Sequence, residues 1–152
     1  MRRGGRARDT ASGGLMENVR IAEGDRVAVA EYRAIRDAVG WDDVPVGDED
    51  LQVALDRTWS VTARTADGRL VGLVRVLDDG AVYASVWDMI VVPELQRRGI
   101  GRALFDRVIA RIGDRRLVAL VATPAGAPLY RAAGFTEEGR GAVALFRRSE
   151  GA

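Results

Sequence analysis

The chain has 152 residues, 47% of them apolar, and its 23 basic side chains nearly balance 22 acidic ones. That is the size and composition of one soluble globular domain, with no charge excess that calls for nucleic acid and no run near the roughly 20 apolar residues of a membrane span. It contains no Cys, His or Lys, so every basic residue is Arg. This removes disulfides, thiolate nucleophiles, His-assisted serine chemistry, Cys/His zinc sites and the phosphate-binding Lys of a P-loop. No metal is expected, and cytoplasm is the default location.

Residues 1–16, "MRRGGRARDTASGGLM", are rich in Arg, Gly and Ser and lack an apolar core, so they read as a disordered leader, not a secretory signal. An upstream extension before a start at Met16 and a basic RNA-binding arm are the other readings. A single domain is expected over 17–152. It begins with a short strand at 19–24. A helix follows over 25–40, with Val27, Ala30, Tyr32 (or Ala34), Ile35 and Ala38 at helical spacing and Gly40 as its stop. A polar loop at 41–50 precedes a short helix at 49–57 that starts acidic, as the helix dipole favours. Three β-rich runs at 59–66, 69–77 and 81–92 are joined by Asp67-Gly68 and Asp78-Asp79-Gly80, which predicts an antiparallel meander. Pro93 ends the last run.

From 99 to 112 the period changes to 3.6, with Ile100, Ala103, Leu104, Val108 and Ile112 on one face. "RRLVALVAT" (115–123) reads as a buried strand, 124–135 as a short helix stopped at Gly134, and 135–148 as two more strands. The predicted order is β-α-α-β-β-β-α-β-α-β-β, an α/β (α+β) fold with a mixed, mostly antiparallel sheet flanked by helices.

"ELQRRGIGRALF" (94–105) therefore falls where a strand hands over to a helix N-terminus. Exposed amides and the helix dipole make such an end an anion site. Gly99 and Gly101 allow close backbone approach, and Arg97, Arg98 and Arg102 add positive charge. The pattern suits a phosphate or pyrophosphate. It is not the dinucleotide fingerprint, whose third glycine would fall at Leu104. A glycine-rich helix start with solvated arginines is the plain alternative.

The stretch Gln96-Arg97-Arg98-Gly99-Ile100-Gly101 resembles the acyl-CoA-binding signature of the GCN5-related N-acetyltransferase (GNAT) superfamily, Q/R-x-x-G-x-G/A. "APLYRAAGF", at the expected distance, resembles the family's second segment. The likeness spans roughly 19–148. Within the superfamily, "YRAIRDAVGW" and "SVWDMIVVPELQRRGIG" look most like the plastid and cyanobacterial branch that includes serotonin (arylalkylamine) N-acetyltransferases.

The resemblance implies an acetyl-CoA-dependent N-acetyltransferase acting on a primary amine of a small molecule, with an arylalkylamine as candidate acceptor. A protein or peptide N-acetyltransferase and a non-catalytic acyl-CoA-binding domain are the alternatives. It implies that Met89, Ile90 and Val91 pair with pantetheine amides and polarise the thioester carbonyl. The turn Arg97, Arg98, Gly99, Ile100, Gly101 and Arg102 would hold the pyrophosphate, with Thr123 also on the cofactor side. Tyr130 is implied as the general acid for the CoA thiolate; its alternative is a core aromatic beside Leu129 and Phe135. Relatives often carry a carboxylate in the strand after the CoA helix, and "LVALVAT" has none. Asp88, a carboxylate inside an apolar strand, is then the candidate catalytic or amine-binding acid. Pairing with an arginine or capping an amide is its alternative. Strand alternation places Trp87 and Asp88 on opposite faces unless a bulge intervenes. Tyr32, Trp41 and Trp87 are candidate acceptor-binding residues, with Trp59 as a further wall, behind a loop whose carboxylates attract amines or are merely solvated. A homodimer is compatible with this reading; nucleic acid and membrane partners are not expected.

Overall fold

The structure, a computed structural model, describes residues 18–137 and 144–147. The leader expected at 1–16 lies outside them. A five-stranded sheet in the order β1-β2-β3-β4-β5 forms the framework. β1 (Val19–Glu23), β2 (Trp59–Thr65), β3 (Leu70–Asp78) and β4 (Tyr83–Val91) pair antiparallel in sequence. β5 (Leu117–Leu120) joins β4 in parallel. α1 (Val29–Ala38) and α2 (Asp48–Asp56) cover one face of the sheet, and α3 (Ile100–Ile112) covers the other. α4 (Ala127–Ala132) follows β5, and a 3-10 turn at Pro93–Leu95 separates β4 from α3. Among the described residues no helix is long and apolar enough to cross a membrane.

Sequence periodicity explains most of this. β3 carries buried Val71, Leu73, Val74 and Val76, so it is covered on both faces. α3 buries Ile100, Leu104, Phe105, Val108 and Ile112, and Phe105 takes the place on this stripe that Ala103 was expected to hold. In α1 only Tyr32 and Ile35 are buried; Ala30 and Ala38 face solvent. Gly40 and Gly134 stop their helices at φ 70 and 90, the left-handed region where a Cβ is costly.

The run 115–123 departs from expectation. Only Leu117–Leu120 pairs, and Leu117 and Val121 are 56% and 64% exposed. α1 packs over β3 and β4, and these β5-side residues are left uncovered. Of the two strands expected at 135–148, residues 138–143 and 148 lie outside the described ones; 135–137 and 144–147 carry no regular secondary structure.

Gly72 sets how closely α3 approaches the sheet. A Cβ there would stand 2.9 Å from Ala63 Cβ and 3.0 Å from Leu104 Cδ1. The Ala63 Cβ lies on the paired strand β2 and cannot swing aside, so the β2–β3 pairing must shift, while Leu104 and Ile100 of α3 must also give way. Gly72→Ala is expected to lower stability by about 1–3 kcal/mol, the usual range for overpacking. Urea denaturation checks this, and an unchanged midpoint would contradict the close approach.

Candidate active site

β4 and β5 separate at one end. They pair from Tyr83–Leu117 to Val86–Leu120, and β4 then runs on to Val91 without that neighbour. A bulge marks the point of parting. On the β3 side Trp87 pairs with Arg75 and Ile90 with Leu73, so Asp88 and Met89 together oppose Val74 alone. Asp88 adopts φ 50, a left-handed backbone that costs an L-residue about 1–2 kcal/mol.

The ladder parity decides which backbone groups are free. Val92 N–H donates to Val71 O at 3.0 Å. Alternation then gives Ile90's groups to Leu73 and turns those of Val91 away from β3. The bulge likewise leaves Met89 without a ladder partner on β3. Of Met89, Ile90 and Val91, two thus offer backbone groups to the gap, while Ile90 contributes a side chain only 2% exposed. Gln96 Nε2 donates to Val91 O at 2.9 Å, tying the next turn to this strand end.

That turn leads into α3. Arg97 and Gly99 have φ 59 and 86, and Gly99 is the N-cap residue. The Ala103 amide bonds Gly99 O. Among the described residues the amides from Arg97 to Arg102 have no acceptor. Arg97 and Arg98 are exposed with no carboxylate partner among the described residues, and Arg102 meets Asp106 only at 3.8 Å. The helix start packs on β4 at Gly101, where a Cβ would make ordinary contacts at 3.7 Å with Met89 Cε and Val91 Cγ2, so an alanine would also fit. Ile100 is buried and anchors the turn. Unpaired amides, a helix dipole and three guanidinia form a donor set that fits a pyrophosphate.

Tyr130, on α4, packs its ring edge-on against Phe105 of α3 with centroids 5.1 Å apart, and Phe135 lies 6.3 Å away. It is both the expected core aromatic and a residue with a spare hydroxyl: no hydrogen-bond partner meets that oxygen among the described residues, and it is not sealed from solvent. Burial pushes its phenol above the ordinary value of 10. The residue borders a cleft of ≈ 820 Å³ between β5, α4 and the end of α3. Thr123 is exposed and caps α4, its carbonyl accepting from Gly126 and Ala127 and its Oγ1 from Gly126.

The other face of the gap holds a charged cluster. Asp88 Oδ2 accepts from Tyr32 Oη at 2.9 Å and from Arg75 Nη1 at 2.8 Å, and Oδ1 accepts from Arg36 Nη1 at 3.1 Å. Its side chain is 12% exposed. The Tyr32 ring lies between Arg75 and Arg36 at 5.4 and 5.6 Å, and Arg36 also covers Trp41 at 5.3 Å. Burial, with Asp88 beside it, raises the Tyr32 phenol. The arginine pairing weighed for Asp88 is therefore present. The bulge also brings Trp87 and Asp88 to the same face, because Trp87 is paired with Arg75 while the Asp88 carboxylate bonds that arginine. Trp87 is 48% exposed, with its Nε1 on Ser85 Oγ at 2.7 Å.

Tyr32, Trp41 and Asp88 are thus brought together through arginines, and Trp87 stands beside them. Trp59 is not part of this group: it pairs with Val76 and lies under Arg111 of α3, on the opposite face. In the acidic loop, Arg33 holds both Asp43 and Asp48. Sequence reasoning missed Arg36 and Arg75. Arg75 carried a usable signal, as a lone charge inside "LVGLVRVL".

A splayed strand pair, a bulge at the split and a phosphate-ready helix start define an acyl-CoA-type transferase fold. The acetyltransferase (GNAT) domain profile matches residues 54–137. The chain belongs to the GNAT acetyltransferase family. Histone acetyltransferase TAP1 of Glycine max is 29% identical over 90% of this chain and 64% of its own length. Serotonin N-acetyltransferase 2, chloroplastic, of Oryza sativa subsp. japonica is 35% identical over 58% of this chain and 47% of its own. A GNAT family acetyltransferase structure from Streptococcus pneumoniae superposes with TM-score 0.73 at 26% identity, covering 87% of this chain and 98% of that one. A Clostridium acetobutylicum protein solved with acetyl-CoA shares the fold, with TM-score 0.62 at 15% identity over 84% of this chain and 96% of its own. The chain spans 64% and 59% of the length of the first two curated relatives it matches.

Proposed function

We propose that the chain is an N-acetyltransferase that passes the acetyl group of acetyl-CoA directly to a primary amine of a small molecule. The observation that carries this is the gap between β4 and β5 opening beside acceptorless amides at Arg97 to Arg102. Acetyl-CoA supplies an activated acyl group whose leaving thiolate needs only modest help. In this reading the turn from Arg97 to Arg102 holds the pyrophosphate, and Met89 and Val91 offer backbone groups to the pantetheine arm. An amide freed at the bulge donates to the thioester carbonyl.

The amine nitrogen bonds the acetyl carbon as the C–S bond breaks. Tyr130 gives its proton to the sulfur, the amine's surplus proton leaves to water, and water returns a proton to the Tyr130 phenolate. Asp88 supports this chemistry from outside the reacting atoms, because Arg36 and Arg75 already compensate its charge. Trp87, 48% exposed at the edge of the Asp88 cluster, favours an aryl group on the acceptor, whose amine would lie away from the arginines. The rice serotonin acetyltransferase likeness points the same way. Tyr32, only 3% exposed and covered by Arg36 and Arg75, serves the cluster and not the acceptor wall.

A peptide acceptor is the second reading, favoured by the likeness to a histone acetyltransferase. One panel separates them: thiol release from acetyl-CoA with arylalkylamines, polyamines, aminoglycosides and N-terminal or lysine-bearing peptides. Turnover with a small amine is expected. Turnover with peptides alone would replace the first reading by the second. Tight acetyl-CoA binding without any turnover would leave an acyl-CoA-binding domain.

A further inference from the structure

We infer that Asp88 is a positioning residue: Tyr32, Arg36 and Arg75 hold its carboxylate, and the carboxylate holds the β4 bulge that frees the amides facing the gap. The inference rests on the acetyl-CoA reading above. Three observations meet at this residue. Its backbone is left-handed at φ 50, which an aspartate tolerates better than most residues but does not prefer. It stands at the two-against-one step in the β3–β4 register. Its side chain accepts three hydrogen bonds, from Tyr32 and Arg36 on α1 and from Arg75 on β3.

The struts are themselves fixed. Arg36 donates to Asp42 O from Nε and Nη2, at 3.3 and 2.8 Å. Arg75 donates from Nε to Thr58 Oγ1 at 3.0 Å and from Nη2 to Ala54 O at 3.2 Å. The cluster therefore ties α1, the loop after it, α2 and β3 to one backbone position of β4. The registers on either side, Trp87 with Arg75 and Ile90 with Leu73, fix the extra residue; a dihedral held this way fixes how it loops out and so how the amides beside it face the gap. The cluster's two positive charges against one negative also make it a poor seat for a cationic amine. This argues against direct contact between Asp88 and the acceptor.

Glycine provides the test, because it takes a positive φ at little cost while alanine does not. Asp88→Gly and Asp88→Ala both delete the carboxylate and both leave Arg36 and Arg75 without it. Any difference between them reports the backbone. The readouts are the carbonyl stretch of bound [1-¹³C]acetyl-CoA, by isotope-edited infrared at saturation, and the single-turnover rate with excess amine.

Asp88→Gly is expected to keep a carbonyl band close to wild type. Asp88→Ala should shift the band toward that of free acetyl-CoA and react about tenfold more slowly than Asp88→Gly. Should Asp88→Ala not fold, Arg75→Met cuts one strut and keeps the carboxylate; its band is expected to move toward the free value with acetyl-CoA affinity retained. Wild-type bands and rates in both the glycine and the alanine variants would overturn the inference, as would an unshifted band in Arg75→Met; bands equally shifted in both would show the carboxylate itself, and not the dihedral alone, holding the bulge. A wild-type protein that saturates with acetyl-CoA and turns over while these variants fail the test separates the inference from the function. No bound band in wild type would overturn both.

Discussion

Gly99→Glu is expected to weaken acetyl-CoA binding about 100-fold or more. Two costs combine. Gly99 sits at φ 86, where an L-residue pays about 1–2 kcal/mol. The new carboxylate then faces an anion at the helix start; at 4 Å two like charges repel by roughly 1 kcal/mol in water and about 4 kcal/mol near a protein surface. Within the protein no atom lies within 4 Å of a Cβ built at Gly99, so clash with neighbouring protein atoms at the Cβ is not a cost. Gly99→Ala separates the costs: it carries no charge, and its affinity falls only by the strain that the free turn relaxes and binding must restore, at most about 5- to 30-fold, the rest appearing as lost stability. Calorimetry at two ionic strengths reads both. The charge-dependent part of the Gly99→Glu loss should shrink at high salt, where the Debye length falls to about 3 Å at 1 M. Equal affinity in wild type and Gly99→Glu would remove the phosphate cradle from this turn.

That turn was legible in the sequence because its signals are local. Gln96 through Gly101, the stop at Pro93 and the period change after Gly99 place a helix start after a strand without knowledge of anything distant. Asp88 was half legible. A carboxylate inside "SVWDMIVV" stands out, yet its partners are 13, 52 and 56 residues away and only the folded sheet brings them to it. Arg36 reads as an exposed residue on a helix because helical period says nothing of which strand it will cross. The bulge is the least legible feature. It is one extra residue between the Trp87–Arg75 and Ile90–Leu73 pairings, and no local propensity of "SVWDMIVV" encodes a register that depends on both strands. β5 misled for a related reason: "LVALVA" is apolar on both faces, but burial depends on what packs there, and Leu117 and Val121 stay 56% and 64% exposed.

Tyr130→Phe is expected to slow the chemical step by about 10²–10⁴-fold, the usual worth of a general acid. The lower end is favoured, since a thiolate of pKa about 8.5 is already a fair leaving group. The change removes one oxygen and leaves the ring against Phe105, and that oxygen has no described hydrogen-bond partner to strand. Stability and acetyl-CoA affinity should therefore stay near wild type. The pH dependence adds a second check. Burial raises the Tyr130 phenol above 10, so the protonated acid persists through neutral and mildly alkaline pH and is lost only above its ordinary range. The wild-type single-turnover rate should thus show an alkaline fall above pH 10 that Tyr130→Phe lacks. Single turnover is the measurement of choice, because slow product release would mask the chemical step in kcat. A folded, acetyl-CoA-binding Tyr130→Phe protein with the wild-type single-turnover rate would return Tyr130 to the aromatic core it shares with Phe105 and Phe135, and the sulfur would then take its proton from water.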